Sequence, residues 1–447
     1  MHVHFIAIGG AAMHNLALAL HSKGYKVTGS DDEIKEPSLS RLGAAGLLPE
    51  KEGWYPEKLN SKPEAVILGM HARADNPELL KAQELGLRIY SFPEYFHEQS
   101  KDKTRVVIGG SHGKTTITSM ILHVLKALNK DFDYMVGSTV AGFDTMVRLS
   151  DSAPVIILEG DEYLSSPIDR RPKFHLYKAH IGLLSGIAWD HINVFPTFEN
   201  YVEQFQKFAD GLPEGGTMIY YEGDEELKKI ASTLNSGVKK VAYGAPEYFI
   251  ENGISVVRCG GETFPLQVFG LHNLSNLEGA REVCKLLGVS DQEFYTAAQN
   301  FSGAGRRMEL VKKTSDQAIF RDFAHSPSKL KATVAAAREQ FPERKIVACM
   351  ELHTFSSLSE NFLEQYAGSM SAADFPAVYF NPQTIAHKKL APITAEQVKI
   401  AFADAHLKVF TDPAALTEFI KSNFEGPSVL LMMSSGTFDG VDFSKFI

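Results

Sequence analysis

Short apolar runs alternate with helical segments over the first half of the chain, a pattern typical of α/β proteins. A strand predicted for residues 3–8 leads into a glycine turn, and a helix is predicted for residues 13–22. Further strands are predicted at residues 25–28, 65–69, 87–91, 105–108, 154–158 and 181–188, with a second helix at residues 117–128. The polar segment 98–103 is predicted to be a linker.

Length and composition narrow the class of protein. The chain has 447 residues, too many for one core, and this length suggests three domains of about 150 residues each. A hydrophobic fraction of 44% suits a globular enzyme, and a formal charge of −9 disfavours a general nucleic-acid surface. The three cysteines, Cys259, Cys284 and Cys349, form no CxxC pair, so we expect reduced thiols rather than a zinc site or disulfides.

The start of the chain reads as a core strand rather than a secretory signal, because no basic region or small-residue cleavage site accompanies it. No uninterrupted apolar run reaches the roughly 18 residues that span a bilayer. We therefore expect a cytoplasmic protein with no membrane partner. The sequence leaves the oligomeric state open.

Residues 105–116 combine a strand with a glycine turn that can hold phosphate groups. The glycines let backbone N–H groups face an anion, Lys114 can reach the terminal phosphates, and the Thr115 hydroxyl can bind Mg²⁺. The predicted ATP-binding residues of this turn are Gly110, Ser111, His112, Gly113, Lys114, Thr115 and Thr116. The spacing is not the strict phosphate loop, since Ile108 stands at the position of the first glycine. The alternative is an ordinary glycine turn, but the order of strand, glycines, Lys-Thr and helix favours ATP.

Polar side chains follow two further predicted strands. Glu159 ends one of them, and His191 lies just after the other. The carboxyl ends of parallel strands border the crevice in which α/β proteins bind ligands. A single histidine in this position is more often structural than a metal ligand, but the combination with the phosphate turn predicts a Mg²⁺ site of Thr115, Glu159 and His191.

The first strand and its glycine turn resemble a dinucleotide-binding unit. Asp31 follows the turn by about 20 positions, where an acidic residue binds a ribose. Ala7 and Ala12 stand where the full glycine fingerprint has glycine, so the signal for NAD is weak. The turn at Gly9 and Gly10 therefore favours a different nucleotide.

Six segments in order closely resemble motifs of the Mur ligases of bacterial cell-wall synthesis. They are Gly-Ser-His-Gly-Lys-Thr-Thr at 110–116, Glu-Gly-Asp-Glu at 159–162, Asp-His-Ile-Asn at 190–193, Gly-Leu-His-Asn-Leu-Ser-Asn at 270–276, Gly-Arg-Arg-Met-Glu at 305–309 and Arg-Asp-Phe-Ala-His-Ser-Pro at 321–327. The resemblance implies an α/β fold of three domains. These are an N-terminal Rossmann-like domain at 1–102 for a UDP-sugar, a central P-loop ATPase domain at 103–303, and a C-terminal Rossmann-like domain at 304–447 for the amine substrate.

The resemblance also implies a reaction and residue roles. The carboxylate of UDP-N-acetylmuramate attacks the γ-phosphate of ATP, and an amine then displaces phosphate from the acyl phosphate. Lys114, Glu159, His191 and Arg307 are the implied catalytic residues. The remaining implied contacts are Asn273 and Asn276 near adenine, Asp322 near the ATP ribose, His325 and Arg307 at the nucleotide, and Gly9, Gly10, Ser30, Asp31 and His71 at the UDP-sugar.

The first residues and Gly-Ser-Asp at 29–31 are most similar to ligases that act on UDP-N-acetylmuramate. One branch adds L-alanine, and a recycling branch adds the tripeptide L-alanyl-γ-D-glutamyl-meso-diaminopimelate. Residues 159–174 and Asp-Phe-Ala-His at 322–325 resemble the recycling branch, so the tripeptide is favoured and L-alanine stays open.

The chain departs from the family pattern at several positions. Ser326 stands where a second histidine is common, Gly160 replaces an alanine, and Glu-Leu-His-Thr-Phe at 351–355 lacks the arginine usual nearby. The carbamylated lysine of several relatives would fall at Lys207 or Gln206, and the spacing does not decide between them. Two other classes stay open: an inactive nucleotide-binding regulatory protein, and another amide ligase such as a folylpolyglutamate synthetase. The retained lysine, metal ligands and arginine argue against the first, and the N-terminal Rossmann-like domain argues against the second.

Overall fold

The computed structural model of the chain describes residues 1–189, 194–251, 253–303, 305 and 307–447. The described residues fall into two compact units. The first unit contains residues 1–243 and 279–288, and the second contains residues 244–278 and 289–447. Among the described residues, no helix is both long enough and apolar enough to cross a membrane.

The N-terminal sheet of the first unit is parallel and has the order β2-β1-β3-β4. Its strands are β1 His2–Ile6, β2 Lys26–Ser30, β3 Ala65–Leu68 and β4 Ile89–Ser91, and its helices are α1 Ala11–Ser22, α2 Ser38–Ala44, α3 Pro77–Glu84 and α4 Phe92–Gln99. Strand β1 is central, with Phe5 opposite Gly29 on one side and Ile67 on the other. The carboxyl ends of β1, β2 and β3 therefore meet at one edge of the sheet.

The central sheet of the first unit has the order β11-β10-β9-β5-β8-β6-β7 and is parallel except for β7. Its strands are β5 Thr104–Gly109, β6 Asp133–Met135, β7 Val147–Arg148, β8 Val155–Glu159, β9 Ile181–Leu184, β10 Thr217–Tyr221 and β11 Lys239–Tyr243, and its helices are α5 Lys114–Ala127, α6 Lys173–Leu176, α7 Phe198–Asp210 and α8 Glu225–Thr233. Strand β5 lies between β8 and β9. The phosphate turn that follows β5 and the residues that follow β8 and β9 therefore lie at the same edge of the sheet.

The segment 98–103, predicted to be a linker, joins helix α4 to strand β5 and is partly buried. Helix α4 continues to Gln99, Ser100 is fully buried, and Lys103 is nearly so. The charges are paired, since Lys101 Nζ lies 2.7 Å from Glu98 and Lys103 Nζ lies 2.8 Å from the buried carboxylate of Asp133. A buried charge requires an oppositely charged or hydrogen-bonding partner. The polar sequence of the segment does not show that Lys103 has one.

The second unit begins with an antiparallel sheet of order β12-β13-β14. Its strands are β12 Tyr248–Glu251, β13 Ile254–Cys259 and β14 Glu262–Leu266, followed by the helices α9 Leu271–Leu286 and α10 Asp291–Ala298. Helix α9 passes from the second unit into the first between Glu278 and Gly279.

The C-terminal sheet has the order β15-β16-β20-β17-β18-β19 and is parallel except for the edge strand β15. Its strands are β15 Glu309–Lys313, β16 Gln317–Asp322, β17 Lys345–Glu351, β18 Phe375–Tyr379, β19 Lys408–Phe410 and β20 Ser428–Met433, and its helices are α11 Pro327–Gln340, α12 Glu360–Leu363, α13 Pro382–His387, α14 Ala395–Phe402 and α15 Pro413–Asn423. Every residue of β20 is buried, as expected for a central strand of a sheet covered on both faces.

Candidate active site

The turn between β5 and α5 has a positive φ at two positions, a conformation that favours glycine. Gly110 has φ +130° and Gly113 has φ +79°. A Cβ atom on Gly110 would lie 2.1 Å from Ser185 Oγ, a distance at which the neighbouring segment must move. Ser185 N also donates to Gly109 O, and Ser111 N donates to Gly186 O. The end of β9 thus fixes the phosphate turn at its predicted glycines.

Lys114 begins helix α5 and points back into the turn. Its Nζ donates to Gly110 O at 2.6 Å and to Glu162 Oε2 at 2.6 Å. Burial by itself lowers the pKa of Lys114, but Glu162, Asp161 and Glu159 outweigh it and hold the pKa above its ordinary value. Lys114 therefore carries a fixed positive charge at the helix N-terminus, where anions bind.

A polar network that the sequence analysis did not single out holds this lysine. Glu162 is 1% exposed, and its Oε1 accepts from Tyr201 Oη at 3.0 Å. The Tyr201 hydroxyl also lies 2.8 Å from Ser111 Oγ. Glu162 stands in the Glu-Gly-Asp-Glu run, so its motif was visible, but nothing in the sequence pairs Tyr201 with a residue so far before it.

Thr115 and Glu159 meet at the carboxyl end of β8. Thr115 Oγ1 donates to Glu159 Oε1 at 2.8 Å, and Gly137 N donates to Glu159 Oε2 at 2.8 Å. A hydroxyl and a carboxylate are oxygen ligands of the kind that Mg²⁺ prefers. His191, the third predicted ligand, lies outside the described residues. Within the described part of the chain, no group of three or more His, Cys, Asp or Glu residues is placed to hold a metal.

The residues predicted for the UDP-sugar come together around the turn after β1. Gly9 N donates to Asp31 Oδ2 at 2.7 Å, and a Cβ atom on Gly10 would lie 3.7 Å from His71 Nδ1. Ser30 Oγ accepts from Lys58 Nζ at 3.1 Å. Burial raises the pKa of Asp31, and its hydrogen bond from Gly9 opposes that rise. Lys58 was missed because it lies far from the glycine turn in the sequence.

In the second unit, three predicted nucleotide residues cluster at the carboxyl end of β16. The Arg307 guanidinium lies 4.4 Å from the centre of the Phe323 ring, and the His325 ring packs edge-on against the same ring at 4.9 Å. Asp322 Oδ2 accepts from Met308 N at 2.6 Å. Burial raises the pKa of Asp322, and Arg307 opposes that rise.

Helix α9 carries the two predicted adenine contacts. Asn273 is buried and its Nδ2 donates to Phe269 O at 3.0 Å, while Asn276 lies three positions later on the same helix. The helix begins at Leu271, so Asn273 lies inside its first turn and does not occupy the capping position. Burial lowers the pKa of the neighbouring His272 to about 4, which keeps this imidazole neutral at neutral pH.

A cavity of about 400 Å³ lies beside the carboxyl end of β20. Its walls combine the charged pair Glu309 and Arg321, the hydroxyl groups of Ser434 and Thr437, and apolar side chains such as Phe443. Arg321 donates to Glu309 at 2.8 Å. A volume of this size is in the range of roughly 300–1,000 Å³ that holds drug-sized ligands.

Family models match nearly the whole chain: the Mur ligase family catalytic domain at residues 2–104, the Mur ligase middle domain at 108–284 and the Mur ligase glutamate ligase domain at 306–436. The UDP-N-acetylmuramate–L-alanine ligase of Cutibacterium acnes is 32% identical over 387 residues, which are 83% of this chain and 79% of the relative. The chain belongs to the Mur ligase family. It is therefore an ATP-dependent, ADP-forming amide ligase of peptidoglycan synthesis, as the motifs predicted.

Solved Mur ligases share the fold over their full length. The UDP-N-acetylmuramate–alanine ligase of Thermotoga maritima superimposes with a TM-score of 0.70 at 21% identity, covering 98% of this chain and 96% of that one. The murein peptide ligase of Psychrobacter arcticus gives 0.64 at 23% identity, covering 98% and 97%. These matches confirm the predicted three-domain α/β architecture of this Mur ligase. The exact boundaries near residues 103 and 304 stay predictions.

The two predicted positions of a carbamylated lysine in this Mur ligase both lie on helix α7. Lys207 lies on α7 with its side chain 54% exposed, and its Nζ pairs with Glu203 at 2.9 Å. Gln206, the alternative position, donates to Asp210 on the same exposed face. Neither side chain has a described contact with Thr115 or Glu159.

Proposed function

We propose that this Mur ligase joins UDP-N-acetylmuramate to the tripeptide L-alanyl-γ-D-glutamyl-meso-diaminopimelate, with conversion of ATP to ADP and phosphate. It would thus be a UDP-N-acetylmuramate:L-alanyl-γ-D-glutamyl-meso-diaminopimelate ligase that works in the cytoplasm during peptidoglycan recycling. The observation that carries the choice of amine is the cavity beside β20, because its volume of about 400 Å³ is in the range that holds drug-sized ligands, which suits a tripeptide better than a single alanine.

The first step takes place at the phosphate turn. The muramate carboxylate attacks the γ-phosphate, and Lys114 neutralises charge that develops on the transferred group. The ion pair with Glu162 and the carbonyl of Gly110 hold the ammonium in place before the nucleotide arrives. This preorganisation supports a catalytic rather than a structural lysine.

Thr115 and Glu159 would hold the first Mg²⁺, and Glu159 with His191 the second. Bound there, the metal supplies neutralisation of phosphate charge and orientation of the nucleotide. The carboxylate of Glu159 already contacts the Thr115 hydroxyl and the Gly137 amide, so its two oxygens are fixed in direction.

The turn after β1 would hold the UDP part of the acid substrate. Asp31 occupies the Gly9 amide, so the diphosphate would contact Gly10 and the free N–H groups at the start of α1. The uridine would lie near Ser30, Asp31 and His71. NAD is less suitable, because it is a hydride acceptor and hydride transfer would not require the phosphate site at Lys114.

The residues at the end of β16 and on α9 would bind the nucleotide from the second unit. Asn273 and Asn276 would contact adenine, Asp322 the ribose, and Arg307 with His325 the phosphates. These residues belong to the second unit, whereas Lys114 belongs to the first.

L-alanine is the second candidate amine, and a specific observation favours it. The relatives at about 30% identity are UDP-N-acetylmuramate–L-alanine ligases, including that of Limosilactobacillus reuteri, which is 30% identical over 83% of both chains. The cavity and the resemblance of residues 159–174 to recycling ligases favour the tripeptide instead.

One assay separates these candidates. Purified protein receives ATP, Mg²⁺ and UDP-N-acetylmuramate with L-alanine, with the tripeptide or with no amine, and phosphate release and product mass are recorded. We expect sustained phosphate release and a new amide only with the tripeptide. A product with L-alanine alone would replace the tripeptide by the second candidate, and no product with either would support an inactive nucleotide-binding protein.

A further inference from the structure

The C-terminal sheet has a topological switch point between β17 and β20. The chain runs outward from β17 to β18 and β19 and then returns to place β20 on the other side of β17. The two strands are parallel, with Met350 opposite Met433, so their carboxyl ends are neighbours. In open α/β sheets, ligands bind at such a point.

Glu351, the last residue of β17, is a buried carboxylate at this point. Its side chain is 3% exposed. Its Oε2 accepts from the Ser434 hydroxyl and, at 2.9 Å, from Phe438 N. One oxygen is therefore fixed by the loop after β20, and the other, Oε1, faces His353.

His353 lies between this carboxylate and solvent. Its Nδ1 is 3.7 Å from Glu351 Oε1, and its side chain is 38% exposed. A Cβ atom on Gly436 would lie 2.8 Å from Nδ1 and 2.7 Å from Glu351 Oε2. Glycine at 436 thus leaves the space in which carboxylate and imidazole approach each other. Gly436 also lines the cavity of about 400 Å³.

A carboxylate behind Nδ1 favours the tautomer with its proton on Nδ1, and the lone pair is then on Nε2. The separation of 3.7 Å is longer than a hydrogen bond. Catalytic contacts of this kind are often long without substrate and tighten when it binds. The arrangement is that of a base with an orienting acid.

We propose that His353 is the general base for the incoming amine and that Glu351 is its positioning residue. This inference rests on the proposed function, in which the amine arrives as an ammonium ion that cannot attack. His353 Nε2 takes one proton from that nitrogen. The freed electron pair forms the C–N bond to the acyl carbon, and the C–O bond to phosphate breaks with its electron pair leaving on phosphate. The second proton that the nitrogen loses on becoming an amide passes to the departing phosphate.

The test compares two nucleophiles on the same acyl phosphate. Hydroxylamine is largely neutral at neutral pH and forms a hydroxamate without a base, whereas the peptide amine needs one. In His353→Gln we expect amide formation to fall by about 10²–10⁴-fold, the usual worth of a general base, and hydroxamate formation to stay at the wild-type rate. Glu351→Gln should show a smaller loss with the same dependence on nucleophile.

His406→Gln is the matched control, because His406 is an exposed histidine of the same domain in the loop before β19. It should leave both products unchanged. Hydroxamate formation by His353→Gln also shows that the variant is folded and makes the acyl phosphate.

Equal losses of amide and hydroxamate formation in His353→Gln would exclude His353 as the general base. Wild-type rates of both reactions in this variant would exclude it as well. If the wild-type protein forms neither product, the proposed function itself fails, and the base fails with it. If the wild type forms hydroxamate and amide while the variant retains its amide rate, the proposed function stands and only this inference is lost.

Discussion

The glycine turn after β1 and the glycine turn after β5 follow the same plan of strand, turn and helix, but their charges differ. In the first turn, the carboxylate of Asp31 occupies the amide of Gly9. In the second, the ammonium of Lys114 occupies the turn and is held by Glu162. The ligands proposed for the two turns would therefore meet different charges, a carboxylate in the first turn and an ammonium in the second.

The backbone requirements of the two turns differ as well. Gly110 has φ +130° and lies where a side chain would collide with Ser185, whereas Gly10 has φ −58° with its nearest neighbour at 3.4 Å from a built Cβ. Gly110 is thus held by the residues that follow a neighbouring strand, whereas Gly10 is less constrained. The predictions below test this contrast.

Loss of the lysine should have the largest effect. Lys114→Ala removes the charge aimed at the transferred phosphoryl group, a contact worth about 3–4 kcal/mol where a single oxyanion donor is removed. We expect ligation to fall by two to three orders of magnitude or more while circular dichroism stays unchanged. Lys130→Ala, an exposed lysine just after α5, is the control. Near-normal turnover of Lys114→Ala would rule out this active site.

Loss of the proposed metal ligand Glu159 should have the next largest effect. Glu159→Ala removes both the contact to Thr115 and the acceptor of the Gly137 amide. We expect a large loss of activity that added Mg²⁺ restores only in part, whereas His191→Ala should be rescued better. The measurement is initial rate against Mg²⁺ concentration, and identical Mg²⁺ dependence in the wild type and Glu159→Ala would exclude Glu159 as a ligand.

The two glycines should respond differently to the same substitution. Gly110→Ala forces a positive φ on alanine and a collision with Ser185, so we expect a loss of about 2 kcal/mol or more in the free energy of unfolding. Gly10→Ala should change it by about 0.5 kcal/mol or less. Denaturant titration of both variants gives the comparison. Equal effects would mean that the turns are constrained alike.

Asp31→Asn should have the smallest effect on the fold. Burial raises the pKa of Asp31, so above the ordinary aspartate pKa of about 3.9 the unfolded chain loses this proton before the folded protein does. In that window the folded state binds more protons, and stability falls as pH rises. We expect the asparagine variant to melt at the wild-type temperature or higher at neutral pH. Its melting temperature should also change less with pH on the acid side than that of the wild type. A lower melting temperature of the variant at neutral pH would contradict the predicted destabilising effect of ionised Asp31.

Much of the N-terminal half could be predicted because its signals are local. The predicted strand at 65–69 corresponds to β3 Ala65–Leu68, and the helix predicted at 117–128 to α5, which begins earlier at Lys114. The strand predicted at 181–188 ends at Leu184, since Ser185 and Gly186 turn their backbone groups to the phosphate turn. The phosphate turn is distant from these residues in the sequence, so the apolar run at 181–188 did not indicate where the strand ends.

The site was predicted as far as its motifs reach. Lys114, Thr115 and Glu159 lie in short segments that resemble motifs of the family, and the structure brings them to one edge of the central sheet. Glu162 with Tyr201, Lys58 with Ser30 and Glu351 with His353 are pairings created by folding. No sequence motif identifies the members of these pairs, because they come into contact only when the chain folds.

The most direct test of the contrast between the two turns is calorimetric titration of the wild type and Lys114→Ala with UDP-N-acetylmuramate and with a non-hydrolysable ATP analogue. The account predicts that the wild type binds both ligands, and that Lys114→Ala loses affinity for the ATP analogue but keeps that for UDP-N-acetylmuramate. Binding of NAD(H) in place of UDP-N-acetylmuramate, or an unchanged affinity of Lys114→Ala for the ATP analogue, would contradict it.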